Sequence, residues 1–138
     1  MDDAIFVKKG TNSDIDSYSA FFDNRGAKGF STGLDKILER RSVGRVWVAG
    51  LAIDYCVGGT ALDALGLDLL TFVVQDASAI IADDSAKVMW DKLDAAGVIL
   101  VNTTQAIADM KLYNNAGALA PSLALLAFMA TSLFFNAH

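Results

Sequence analysis

Three residue types are almost missing from this chain of 138 residues, which holds one cysteine, one histidine and one proline. A single cysteine excludes an intramolecular disulfide. The single histidine, His138, is the last residue, so a metal site would have to rest on carboxylates. No compact Asp/Glu cluster of that kind stands out, which argues against a zinc centre in this chain. Basic runs are missing too. The net charge is −5 and no Lys/Arg stretch is long enough to track phosphates, so nucleic acid is not an expected partner. The acidic start and short apolar run of the first ten residues fit no signal peptide. From Leu112 to the end there is no charged side chain other than the terminal histidine.

What remains reads as one domain. Residues 4–7 form a short apolar strand closed by Lys8, Lys9 and Gly10. Residues 11–33 are rich in Ser, Asp, Asn and Gly, and a loop of that length in a compact domain is usually functional. The spacing of Leu34, Ile37 and Leu38 predicts a helix over 34–41, with Thr32 as its cap. Val46, Trp47, Val48 and Ala49 form a buried strand ended by Gly50. Thr60, Ala61, Leu62, Ala64 and Leu65 recur at helical spacing. A second buried strand is expected over 68–74 and a loop over 76–82. A helix over 83–96, with Val88, Met89, Leu93 and Ala96 facing inward, ends at Gly97. A third strand over 98–101 and a last helix over 103–110, capped by Thr103 or Thr104, complete the pattern. Strands alternating with helices predict an α/β fold with a parallel sheet.

The chain is organised around Cys56, placed at the turn between a strand and a helix. A helix start offers unpaired N–H groups and partial positive charge, which favour a thiolate and can hold an oxyanion. The alternative is a buried small hydrophobe. In parallel sheets, sites lie at the carboxyl ends of strands. Lys9 and Cys56 each follow such an end, which puts an amine and a thiol on one rim if their strands are near.

The tail, residues 112–138, stands apart from a domain over 1–111. As a helix, its apolar stretch 116–135 would be about 30 Å long at ~1.5 Å per residue, enough for a bilayer core. Small residues at 115–117 before an apolar end also resemble a lipid-anchor signal. The third reading is a helix docked on the sheet. Localisation therefore stays open between cytoplasmic and membrane-associated through the tail.

Several segments together resemble the nicotinamidase branch of the isochorismatase-like cysteine hydrolases. They are Lys9-Gly10-Thr11, then Asp16-Ser17-Tyr18-Ser19-Ala20-Phe21, then Gly50-Leu51-Ala52-Ile53-Asp54-Tyr55-Cys56-Val57, then Thr60-Ala61-Leu62-Asp63-Ala64. The resemblance runs over roughly residues 4–110. It implies a Rossmann-like three-layer domain, strand order 3-2-1-4-5-6, and hydrolysis of nicotinamide to nicotinate and ammonia through a cysteine thioester, a step of NAD salvage. It implies Cys56 as nucleophile and Lys9 as the lysine beside it. The N–H groups of Ala52 and Cys56 would make the oxyanion hole, aided by a cis peptide between Leu51 and Ala52. Tyr18 would pack on the pyridine ring. Asp54 is read as a helix cap.

The same comparison exposes departures. The family's triad aspartate and its metal-binding aspartate and histidines have no counterpart, as though the chain began at the family's third strand. The expectation is a partial domain without cofactor, a divalent zinc-like metal belonging only to a complete member. The amide hydrolase would be impaired. The alternative is a non-catalytic binding or scaffolding module. Gly58 and Gly59 stand where a basic residue is usual, and glycine weakens a helix by roughly 1 kcal/mol per residue. Expected partners are a small amide, another copy of the chain and, through the tail, a membrane. An absent neighbour would also leave an edge of the cysteine strand open.

Overall fold

A computed structural model of the chain describes residues 4–117 and the backbone of residues 127–130. Three parallel strands form the sheet: β1 (Arg45–Leu51), β2 (Leu70–Ala79) and β3 (Ile99–Val101), in spatial order β3-β2-β1. Helices α1 (Leu34–Arg40), α2 (Gly58–Gly66), α3 (Asp83–Ala96) and α4 (Thr103–Gly117) connect and cover them. A further strand, β4 (Ala127–Ala130), lies parallel to β1 on its other side, with Val46 opposite Ala127 and Ala49 opposite Ala130.

Strand alternation divides the core into two layers. Val46 and Val48 of β1 and Val73 of β2 point into a cluster with Leu34 and Leu38 of α1, Ala61 and Ala64 of α2, and Leu93 of α3. Trp47, Ala49, Phe72 and Val74 point the other way, toward Ala106 of α4. The Trp47 and Phe72 rings stack with centroids 5.0 Å apart. The central strands are thus buried on both faces, as their continuous apolar runs require.

The structure corrects several expectations. Residues 4–7 form no strand: Phe6 is 75% exposed, and only Val7 packs against the core. Backbone groups of an isolated extended segment gain a ladder only from a neighbour, and the open side of β1 is taken by β4. β2 continues past Val74 to Ala79, because its polar stretch is a bulge and not a loop. The register jumps from Val48–Val73 to Gly50–Ser78, and the Ser78 hydroxyl bridges the gap by donating to Val74 O at 2.7 Å and accepting Gly50 N–H at 3.3 Å.

On α3 the expected bounds hold, and Gly97 ends it at φ 92°. The inward stripe differs: Ala86 and Leu93 are buried with Met89 and Trp90 beside them, while Val88 is 67% exposed and Ala96 faces solvent. Positions 86, 89, 90 and 93 follow the i, i+3, i+4, i+7 rule that Val88 breaks. α4 is capped by Asn102, whose Oδ1 accepts Gln105 N–H at 2.8 Å while Gln105 Oε1 accepts Asn102 N–H at 2.9 Å. That reciprocal pair is a capping box. Thr103 instead gives its hydroxyl and N–H to Asp76. α4 also runs past Met110 to Gly117, held by Arg45, whose guanidinium lies 4.4 Å from the Tyr113 ring centroid and 3.1 Å from Asp109 Oδ2.

The continuous apolar helix expected over 116–135 is not found where the backbone is described, since Ala127–Ala130 is a strand. The remainder of that stretch beyond Gly117 lies outside the described residues. No helix among the described residues is long and apolar enough to cross a membrane.

Candidate active site

β1 ends in a change of direction. Gly50 adopts φ 128°, a value side chains rarely allow, and the next peptide bond, Leu51–Ala52, is cis. A π-helical turn, Ile53–Val57, follows and leads straight into α2. Ala52 anchors this turn: its carbonyl accepts the N–H groups of Tyr55 at 3.1 Å and Val57 at 2.9 Å. Cys56 is therefore the fourth residue of a tight turn between strand and helix, half-buried, with its thiol free of any disulfide.

The turn can pack this closely because of Gly58. A Cβ there would stand 2.5 Å from Ile53 O and 2.5 Å from Met89 Cγ and Sδ. The glycine that costs α2 helix propensity is thus what lets α3 lie against the turn that carries Cys56. Gly59 has more room, with the nearest atom, Tyr18 Cβ, at 3.4 Å.

Lys9 reaches the same turn from the far end of the chain. Its Nζ donates to Ser17 O at 2.7 Å and lies 3.4 Å from Cys56 Sγ. A residue read as the end of a strand thus arrives at the thiol from an irregular segment. Among the described residues Lys9 makes no ion pair with a carboxylate.

The long loop supplies the aromatic side. Tyr18 meets Tyr55 edge to face, with centroids 5.3 Å apart at 67°. Its hydroxyl donates to Asp16 Oδ2 at 3.3 Å. Burial raises the Tyr18 phenol above its ordinary value, and Asp16, Tyr55 and Cys56 push it the same way, so it stays protonated. Two hydrogen bonds hold the loop: Ala20 N–H donates to the buried Thr60 Oγ1 on α2 at 3.0 Å, and the half-buried Thr32 Oγ1 donates to Ala20 O at 2.6 Å. Asp23, almost fully buried, accepts from Arg25 and from Phe30 N–H, which holds its carboxyl well below the usual range.

Asp54 is a cap, but of another helix. Ile81 N–H donates to its Oδ1 at 3.1 Å, Ala82 N–H to Oδ2 at 3.1 Å, and the Ser85 hydroxyl to Oδ2 at 2.7 Å. Ala82 is the N-cap residue of α3, and its methyl side chain cannot cap. Burial raises the Asp54 carboxyl, and the hydrogen bonds from Ser85, Ile81 and Ala82 outweigh it, leaving it below its ordinary value.

Asp16, Ser17 and Tyr55 belong to the recognised motifs but had no role assigned from sequence, and Ser85 lies outside them. Tyr55 was within reach, as an aromatic beside the cysteine; the others act through contacts no local pattern announces. A cleft of about 110 Å³ lies within the folds of the loop, lined by Gly10, Thr11, Ser17 and Arg25 among others. A larger hollow of about 420 Å³ sits at the opposite, amino-terminal ends of β1 and β2, between Leu38, Gly44 and Leu69, away from this chemistry. No group of three or more His, Cys, Asp or Glu side chains among the described residues could hold a metal ion.

Comparison with known proteins places the chain. The family model of the Isochorismatase domain matches residues 14–105. The nicotinamidase of Escherichia coli strain K12 is 42% identical over 100 residues, covering 70% of this chain and 46% of that protein. The nicotinamidase of Acinetobacter baylyi is 38% identical over 95 residues, 68% of this chain and 44% of that one. Among solved structures, PnC1 from L. infantum in complex with nicotinate is similar with a TM-score of 0.66 and 35% identity, over 71% of this chain and 48% of its own. The chain spans about half the length of the relatives it matches.

Proposed function

The chain belongs to the isochorismatase family, and on that premise we propose that the turn bearing Cys56 is the thioester-forming part of a nicotinamidase-type amide hydrolase site. The observation that carries this reading is the approach of Lys9 Nζ to Cys56 Sγ, 3.4 Å across a separation of 47 residues. An ammonium beside a sulfur is the environment in which a thiolate acts as a nucleophile.

In the proposed reaction Cys56 Sγ attacks the amide carbon of nicotinamide. The backbone N–H groups of Ala52 and Cys56 hold the tetrahedral oxyanion. The intermediate expels ammonia and leaves a thioester, which water hydrolyses to nicotinate and the free thiol. Tyr18 packs against the pyridine ring, steadied by Tyr55 at its edge. Supporting the substrate class, the L. infantum relative binds nicotinate.

The thiol proton must still reach the leaving ammonia, a task for a carboxylate. Asp54 is unsuited to it, because its oxygens already accept from Ile81, Ala82 and Ser85. Asp16 is engaged with Tyr18. The metal implied for a complete family member does not fit the described residues, since they offer no cluster of ligands. No step is routed through it. The chain of 138 residues is therefore expected to turn over slowly. The second reading, a binding module with a silent site, is favoured by this same lack, among the described residues, of a partner carboxylate for Lys9 and Cys56.

Ammonia release from nicotinamide by the purified chain, with Cys56→Ala as the control, tests the proposal. Slow release that vanishes in the variant supports the hydrolase. Nicotinamide binding with no release above the control supports the binding module.

A further inference from the structure

The carboxylate of Asp54 stands in the nucleophile turn, two residues before Cys56, yet every hydrogen bond it accepts from a side chain or another segment comes from the start of α3, 27 to 31 residues away. It is buried, and it serves a helix whose own N-cap residue is alanine. Beyond this cap, α3 touches the turn again one helical turn later, where Met89 presses on Gly58. The nucleophile turn is thus gripped at both its ends by one face of α3: Asp54 on the strand side of the cysteine and Gly58 on the helix side.

The π-helical turn runs without a break into α2, and Gly58 N–H donates to Ile53 O and Tyr55 O. At its other end the Ala52 carbonyl accepts the N–H groups of Tyr55 and Val57. Those bonds give the turn its shape, and its sideways attachment to α3 comes from Asp54 and Gly58. Resting on the site reading above, we propose that Asp54 is a positioning residue, a carboxylate clamp that fixes Cys56 Sγ within reach of Lys9 by tying the nucleophile turn to α3.

The groups that face the turn are Lys9 and Tyr18 with Asp16 from the loop side, Tyr55 from the turn itself, and Ser85 from α3. Asp83 and Asp84 begin α3 and are exposed, as is Lys87. A bare negative charge and a clamp make opposite predictions among these neighbours. Removing a nearby charge makes a thiolate easier to form, whereas releasing the clamp takes the sulfur away from its ammonium and makes it harder.

The test is the rate of Cys56 alkylation by iodoacetamide as a function of pH, on the full 138-residue chain and on Asp54→Asn, Ser85→Ala and Lys9→Gln. Asparagine keeps the shape but has one acceptor oxygen for three donors. The midpoint of the Asp54→Asn profile is expected to move up by about one pH unit, read as a roughly tenfold lower rate well below the midpoint. Ser85→Ala removes a single donor from outside the turn and is expected to shift the profile the same way by less, which keeps the test open if Asp54→Asn does not fold. Combined with Lys9→Gln, Asp54→Asn should add no further shift, because both act on one contact. A downward shift in Asp54→Asn overturns the clamp in favour of a simple charge. An unchanged profile in Asp54→Asn and Ser85→Ala beside a shifted one in Lys9→Gln overturns the clamp and leaves the site reading standing. Unchanged profiles in all three overturn the site reading and the clamp with it.

Discussion

Thr60 Oγ1, on α2, accepts the backbone N–H of Ala20 at 3.0 Å, and Thr60 is wholly shielded from water. This one bond fastens the loop that carries Tyr18 to the helix that begins just after Cys56. Replacing Thr60 by valine keeps the shape and strands a buried donor. Such a loss costs about 1–3 kcal/mol. Denaturant unfolding of Thr60→Val should show a loss of that size. Hydrogen exchange should show the Ala20 amide and its neighbours opening well before β2. Equal protection in variant and parent would mean that the loop is held elsewhere.

The two adjacent glycines separate packing from propensity. Alanine at either position should gain up to about 1 kcal/mol of helix propensity. At Gly59 the nearest atom is 3.4 Å away, so Gly59→Ala should be neutral or raise the melting temperature. At Gly58 the new methyl would meet Ile53 O and Met89 at 2.5 Å. Overpacking of that kind costs about 1–3 kcal/mol, so Gly58→Ala should melt lower. Shortening Met89 to alanine in the Gly58→Ala background should recover part of the loss. Two variants with equal melting temperatures would refute the packing account.

Why one of these glycines is needed could not be read locally, and the same holds across the fold. The bounds of α3 were legible because Asp83 and Asp84 open it and Gly97 closes it, all within its own stretch. Its buried face was misjudged because Val88 looks apolar and Ala86 looks neutral, although the helical phase is set by Leu93 and by what α3 packs on. The end of β2 was illegible because Gln75, Asp76 and Ala77 resemble a loop, and only the pairing of Gly50 with Ser78 makes them a bulge. The approach of Lys9 to Cys56 was anticipated through motif order, but not its means, an unpaired segment reaching over the turn. Asp54 was read as a cap from its residue type. Its helix could not be named, because Ile81, Ala82 and Ser85 lie far along the chain.

Acid should loosen the long loop late. Asp23 accepts from the Arg25 guanidinium first, and from Phe30 N–H and Arg25 N–H as well, which depresses its folded-state value. A depressed carboxyl contributes stability that is complete above its unfolded value of about 3.9 and is lost as pH falls below it toward the folded value. Melting temperature against pH between about 2 and 5 should therefore fall more steeply for the parent chain than for Asp23→Asn. The variant should already be less stable at neutral pH. Parallel curves would mean that the Asp23 pair contributes nothing to the pH dependence.

Arg45 ties β1 to α4 by two different forces. It pairs with Asp109 at 3.1 Å and lies 4.4 Å from the Tyr113 ring centroid. The pair is partly exposed and therefore screened by salt, whereas the contact with the ring face depends less on it. Tyr113→Ala should cost about 0.5–2 kcal/mol, most of it retained at high salt. Asp109→Asn should cost less, and that cost should shrink as salt is added. A double-mutant cycle measured by denaturant unfolding at low and high ionic strength would separate the two contributions; a salt-sensitive loss in Tyr113→Ala would contradict this division.

One side of β1 pairs with β2, and its other side is an apolar edge. An unpaired apolar strand edge is a template for association with other chains. In this protein that side is occupied by Ala127–Ala130, which aligns with Val46 to Ala49 residue for residue. The sequence alone led to the expectation of an open edge; the ladder with β4 instead protects the β1 amides that face it. A chain ending at residue 117 should lose this partner. Its β1 amides on that side should exchange faster than those shared with β2, and light scattering after size exclusion should show larger species than the parent chain gives at the same concentration. Unchanged exchange along β1 and an unchanged size distribution would show that β4 is not what covers the edge.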